Sequence, residues 1–149
     1  MAVPGGVVGR MTMTTPFTLR LSLAQGLFDR GDFREAALAL AELVEEIEGA
    51  AAGETTLTAD DGVLHGTDDL RLLLARAYYH SAQLGRAEVT LTRITAESPT
   101  DAYAHLLLGR TLQRAGRHAE AARPLALAEI LGDYERPRVY GATSRSETA

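Results

Sequence analysis

The sequence predicts an all-α protein, an α-solenoid made of three helix-turn-helix repeats. Residues 71–78 and 105–112 carry the same pattern, a polar residue followed by three leucines, a small residue and Arg, at an offset of 34 residues. The same offset carries Arg76 onto Arg110 and Ala87 onto Ala121. Only 5% of the residues are aromatic and the apolar positions are mostly Ala and Leu, which favours helices over strands. A repeat of this length is typical of stacked helical hairpins, which mostly bind other molecules.

The first hairpin is predicted at residues 17–48, with helices over Phe17–Asp29 and Phe33–Glu48. Apolar residues recur there at three- and four-residue spacing, as on the buried face of a helix. Gly31 can adopt the left-handed conformation that ends a helix, and Asp32 can cap the next one. Residues 1–16 lack the charge pattern of a secretory signal and are expected to be flexible. Translation could start at Met1 or at either of the methionines at positions 11 and 13.

An insertion separates the first hairpin from the second. The equivalent alanines Ala36 and Ala87 lie 51 residues apart, which is one repeat of 34 residues and 17 more. Residues 49–67 are rich in Gly, Thr, Ala and Asp, so we expect them to form a flexible loop. Such a loop costs little stability because closure entropy grows only with the logarithm of loop length.

The second and third hairpins are predicted at residues 68–101 and 102–133. The expected helices span residues 69–80 and 85–96, and then 102–114 and 118–131. Pro99 ends the second hairpin and Asp101 can cap the next helix. Pro124 falls inside the last helix, where we expect a kink or a late helix start. The polar residues 135–149 are expected to be a disordered tail.

Composition narrows the classes of function. The formal net charge is −5, which argues against a nucleic-acid ligand, and no apolar run approaches the ~20 residues of a membrane helix. Cysteine is absent and the four histidines lack ligand spacing, so neither a metal nor another cofactor is expected. No motif for catalysis or phosphate binding occurs, which predicts a non-enzyme. The cytoplasm is the expected location, and the absence of Lys and Asn suggests a G+C-rich bacterial genome.

The repeat resembles the tetratricopeptide repeat family, whose unit has the pattern W-x2-L-G-x2-Y, then A-x3-F, then P. Polar residues, Arg or His, replace the Trp in every repeat, and the resemblance covers residues 17–133. The matching residues are Arg20, Leu23, Ala24, Leu27, Ala36 and Leu40 in the first repeat; Arg71, Leu74, Ala75, Tyr78, Ala87, Leu91 and Pro99 in the second; and His105, Leu108, Gly109, Leu112, Ala121 and Leu125 in the third.

The resemblance implies a right-handed superhelix whose concave groove is lined by the first helix of each hairpin. The implied groove residues are Leu21, Ser22, Gln25, Phe28 and Asp29; Leu72, Leu73, Arg76, Tyr79 and His80; and Tyr103, Leu106, Leu107, Arg110, Gln113 and Arg114. Arg76 and Arg110, one period apart, could hold a carboxylate beside leucines. Alternatively, they are solvated or pair with local acids such as Asp69 and Glu88. The Lys/Asn/Arg clamp that some members use for an acidic chain terminus is missing.

These expectations lead to two hypotheses about function. The first is a non-catalytic adaptor that binds a peptide or helix of a partner protein in the groove. The second is a self-associating structural module that uses the last helix, because no polar capping helix is expected after Leu131. In that case Leu125, Leu127 and Ile130 would form an exposed apolar strip and the protein would be a homo-oligomer.

Overall fold

The computed structural model describes residues 15–53 and 61–132, and within these ranges the protein is all-α, without strands. Each helix packs against the next one along the chain, and the third also contacts the fifth. The helices are α1 (Phe17–Asp29), α2 (Phe33–Gly53), α3 (Asp61–His80), α4 (Leu84–Glu97), α5 (Ala102–Arg114) and α6 (His118–Gly132).

The three hairpins repeat in register at their turns. The first helices end at residues 29, 80 and 114, and the second helices begin at 33, 84 and 118. One residue of each turn has a positive φ, namely Gly31 (88°), Ala82 (60°) and Gly116 (80°). At each turn the amide of the following residue donates to a carbonyl five residues earlier, as from Asp32 to Leu27 and from Arg117 to Leu112. This bond satisfies a carbonyl that the helix end would otherwise leave free.

The insertion lengthens two helices, so the prediction of a loop over residues 49–67 is wrong for most of that range. Helix α2 has 21 residues where α4 has 14, and it continues to Gly53. Helix α3 has 20 residues where α5 has 13, and it begins at Asp61. Residues 50–52 are alanines, the strongest helix formers, so the α2 helix continues through them. The remaining residues, 54–60, lie outside the described ranges, as do residues 1–14 of the predicted leader (1–16) and the predicted tail (135–149).

The insertion preserves a contact between equivalent positions of successive hairpins. The Arg71 Nε donates to Glu48 on α2 at 2.9 Å. One repeat later, His105 Nε2 is 2.8 Å from the carbonyl oxygen of Pro99. Arg71 and His105 are equivalent positions, and so are Glu48 and Pro99. The second and third hairpins therefore begin with the same contact to the end of the hairpin before them.

Helix α6 contains Pro124, where the sequence predicts a kink or a late helix start. The helix begins at His118 and runs through the buried Pro124 to Gly132, so the second of these alternatives, the late start, is wrong. A proline within a helix removes one backbone hydrogen bond, and extensive packing of α6 against α5 offsets that loss. The predicted cap at Asp101 is confirmed, since its carboxylate accepts a hydrogen bond from the Ala104 amide at 2.9 Å.

Small residues allow close approach of the helices in the core. Ala24, Ala75 and Ala87 are fully buried. A Cβ atom added to Gly109 on α5 would lie 2.5 Å from Leu125 Cγ and 3.3 Å from the Leu125 amide nitrogen on α6. The buried residues form three clusters, spanning α1–α3, α3–α5 and α5–α6. Half-buried Tyr78 packs against the first two clusters, and Tyr103 and Leu108 pack against the last two.

Candidate protein-binding face

Side chains of α1, α3 and α5 form a row across the three hairpins. The Arg76 guanidinium on α3 lies 4.9 Å from the centre of the Phe28 ring on α1. The Arg114 guanidinium on α5 lies 5.1 Å from the centre of the Tyr79 ring and donates a hydrogen bond to the Tyr79 carbonyl. We call this row the first-helix face, defined by Gln25, Phe28, Asp29, Leu73, Arg76, Tyr79, His80, Arg110 and Arg114.

An open pocket of about 320 Å³ lies between α1 and α3 on this face. All of its lining residues belong to the groove residues that the family resemblance implies. The structure thus brings together residues of α1 and α3 that lie about fifty positions apart in the sequence. The lining residues are Gln25, Phe28, Asp29, Leu73 and Arg76.

Arg76 is the main cation of this pocket. Its Nε atom is buried and has no hydrogen-bond partner among the described residues. In the same part of the chain, no carboxylate lies within 4.0 Å of the Arg76 or Arg110 guanidinium. Glu88, one of the acids considered as a partner, instead binds Arg117. The Arg76 guanidinium therefore has no anionic partner in the described ranges, and a carboxylate bound in the pocket could accept charge-assisted hydrogen bonds from its terminal nitrogens.

His80 lies at the end of the row nearest the first turn. Its ring stacks on Phe33 with 4.6 Å between ring centres and meets the edge of Phe28 at 5.9 Å. Desolvation lowers the pKa of His80 from its usual 6.5, and the positive charges of Arg76 and Arg114 lower it further. The lowered pKa favours the neutral form of the imidazole, whose ring contacts Phe28 and Phe33.

Sequence reasoning missed Phe33, because it begins α2 and the resemblance assigns the groove to first helices. Its position directly after the Gly31 turn was the available signal, since that turn places the start of α2 beside the end of α1.

The other implied groove residues differ in exposure. Ser22 and Arg110 are exposed, and Gln113 is half-buried. Leu21, Leu72 and Tyr103 are half-buried and pack against the core clusters. They offer only part of their surface to a ligand.

Leu106 and Leu107 must be removed from the implied groove set, because both are only 6% exposed. Leu107 packs with Ala87, Leu91 and Ile94 of α4, and Leu106 packs with Leu125 of α6. Helix α5 lies between α4 and α6 and is covered on two sides, so two successive leucines are buried in different clusters. The repeat pattern alone does not reveal this coverage.

Other kinds of site find little support in the described residues. No group of three or more His, Asp or Glu side chains there is placed to hold a metal ion. None of the described helices is both long and apolar enough to cross a bilayer.

The paired helices and their repeating register define a helical-repeat protein. Residues 66–110 match the family model of the tetratricopeptide repeat. This match supports the tetratricopeptide repeat pattern that the sequence predicts. These repeats generally mediate protein–protein interactions, and the family is typically non-catalytic. No curated protein and no solved structure gave a match to this chain.

Proposed function

We propose that this protein is a non-catalytic adaptor that binds a peptide or helix of a partner protein on the first-helix face. The observation that carries the proposal is the pocket between α1 and α3, where the lining cation Arg76 has no carboxylate within 4.0 Å among the described residues. Leu73 and Phe28 give the same pocket an apolar wall. The ligand that fits is a protein segment with a carboxylate next to an apolar side chain.

Specificity would come from charge and affinity from apolar burial. Arg76 would hold a carboxylate by charge-assisted hydrogen bonds, and Arg110, which is exposed and lacks an ion-pair partner in the described chain, would contact a second acid. Asp29 at the pocket edge would disfavour ligands in which the acid is displaced toward α1. The cytoplasm is the proposed location.

The test is recovery of partners from lysate of the native host with tagged protein and quantitative mass spectrometry. The Arg76→Glu/Arg110→Glu double variant is expected to lose the partners that the wild type recovers. The control is Arg123→Glu, the same type of charge reversal at a single exposed position of α6. Unchanged recovery by the double variant, with the same helical circular dichroism, would refute the assignment of this face.

Self-association is the second candidate function, and one observation favours it. Ile130 is 79% exposed and Leu131 is 40% exposed at the end of α6. The predicted strip is narrower than expected, because Leu125 is buried against α5 and Leu127 is half-buried. Light scattering of wild type and Ile130→Glu tests this: an oligomer that the substitution dissociates supports self-association, and a monomer at all concentrations excludes it.

A further inference from the structure

A second surface lies between the second helices of the first two hairpins and shares no lining residue with the pocket between α1 and α3. One open cavity of about 370 Å³ and another of about 480 Å³ meet at Tyr78 and Arg86, which line both. We call this surface the α2–α4 groove. Its residues are Arg34, Ala37, Leu38, Ala41, Tyr78, Gln83, Gly85, Arg86, Val89 and Thr90.

The groove has an apolar rim whose side chains are exposed to solvent. Leu38 on α2 is 60% exposed and Val89 on α4 is 73% exposed. The two residues occupy equivalent positions of the first and second hairpins, 51 residues apart like the alanines of the core. The third hairpin has Arg123 at this position, so the apolar rim is confined to the first two hairpins.

The groove is also positively charged, although the chain as a whole has a net charge of −5. Its lining includes Arg34 and Arg86 and no carboxylate. Arg86 donates to the Gln83 side chain at 3.1 Å and lies 6.0 Å from the centre of the Tyr78 ring. Among the described residues, neither arginine has a carboxylate within 4.0 Å.

Arginines that lie close to the groove, by contrast, are paired with carboxylates. Arg93, one turn further along α4 than Val89, bonds to Glu48 and Glu97. Arg117 bonds to Glu88 and Glu120. Carboxylates thus neutralise the cations on either side, while the two that flank the apolar rim stay available.

We propose that the α2–α4 groove binds an acidic, amphipathic segment of another protein. Carboxylates of that segment pair with Arg34 and Arg86, and its apolar side chains cover Leu38 and Val89 beside the Tyr78 ring. The pairing of two cations with two acids fixes the orientation of the segment, and apolar burial provides affinity. The protein would then join two partners, one on each face.

The experiment is selection of random short peptides, displayed on phage, against the full chain. Selected peptides are synthesised, and their dissociation constants are measured by fluorescence anisotropy. We expect a class rich in Asp, Glu and Leu whose affinity falls about tenfold or more with Arg34→Glu/Arg86→Glu. The same class keeps its affinity with Arg76→Glu/Arg110→Glu, which makes the same change of charge, and with the single control substitution Arg123→Glu. All substituted side chains but Arg76 are exposed, so circular dichroism should be unchanged.

The outcomes separate this proposal from the previous one. Peptides that lose affinity only with Arg76→Glu/Arg110→Glu support the first-helix face and overturn the α2–α4 groove. Peptides that lose affinity only with Arg34→Glu/Arg86→Glu support the α2–α4 groove and overturn the first-helix face. A selection without any peptide sensitive to Arg34→Glu/Arg86→Glu overturns the groove as well. Light scattering tests whether a second copy of this chain occupies the α2–α4 groove. A dimer that dissociates with Leu38→Glu/Val89→Glu would contradict the proposal that the groove binds a segment of another protein.

Discussion

Arg71 on α3 binds Glu97 on α4 at 2.6 Å, and Arg20 on α1 binds Glu46 on α2 at the same position of the preceding hairpin. Both pairs join residues 26 positions apart in the sequence. Arg20 and Arg71 occupy the position that holds Trp in the family pattern. An ion pair between the two helices of a hairpin therefore stands where the family pattern has an aromatic side chain.

The Arg71 pair should contribute more stability than the Arg20 pair. The Arg71 side chain is 13% exposed and also bonds to Glu48, whereas Arg20 and Glu46 are 34% and 50% exposed. We expect Arg71→Met to cost about 1–3 kcal/mol of unfolding free energy, because it leaves Glu48 and Glu97 without their most buried partner. Arg20→Met should cost about 1 kcal/mol or less. Urea unfolding measures both, and equal costs would contradict the difference in burial.

Ala82 is the only non-glycine residue with positive φ in the described chain, at the turn position where the other hairpins have glycine. Ala82→Gly should raise the unfolding free energy by about 0.5–1 kcal/mol, since relief of left-handed strain exceeds the entropy that glycine adds to the unfolded state. Gly116→Ala provides the reverse test, because an added Cβ there meets nothing within 4 Å and only strain changes. Thermal unfolding of both variants measures the effect, and a loss of stability in Ala82→Gly would contradict it.

Gly109 should tolerate no side chain, because Leu125 of α6 occupies that space. Gly109→Ala is expected to destabilise the protein by about 1–3 kcal/mol through overpacking, despite the higher helix propensity of alanine. Gly49 on α2 has open space around it, so Gly49→Ala should stabilise by about 0.5–1 kcal/mol. Opposite signs in urea unfolding support the close approach of α5 and α6, whereas two stabilising substitutions would show that these helices are further apart.

His80 should respond to pH because its folded-state pKa lies below the usual 6.5. Protons then bind more tightly to the unfolded chain, so the contribution of His80 to stability is complete above pH 6.5 and decreases as the pH falls from there toward the folded-state pKa. Arg76→Gln removes one of the two arginine charges and should raise the pKa of His80. Nuclear magnetic resonance titration of the ring protons checks this, and an unchanged midpoint would show that Arg76 does not act on the histidine.

The sequence predicted much of the fold from local signals. The bounds of α1 and α5 follow from residues such as Gly31, Pro99 and Asp101, whose backbone preferences act over a few positions. The extension of α2 and α3 was missed because the insertion, rich in Gly, Ala and Thr, has the composition of a loop, and its helicity appears only in the structure.

The candidate site was less predictable. Phe28, Arg76 and His80 could be placed on one face by the family resemblance, yet their mutual contacts depend on how α1, α2 and α3 are packed. Burial of Leu106 and Leu107 likewise depends on the neighbours of α5. The α2–α4 groove depends on which arginines lack an acid. Only the structure shows that Arg93 is paired with Glu48 and Glu97, whereas Arg34 has no carboxylate partner within residues 15–53 and 61–132.

Site-specific photo-crosslinking tests the central claim, that the first-helix face binds a partner protein, most directly. A benzophenone amino acid at position 25, on the edge of the pocket, is compared in native-host lysate with one at the exposed Ala122 of α6. We predict an adduct with another protein at position 25 that is absent at position 122 and disappears with Arg76→Glu. Identical adducts at both positions, or an adduct at position 25 that persists with Arg76→Glu, would contradict the claim.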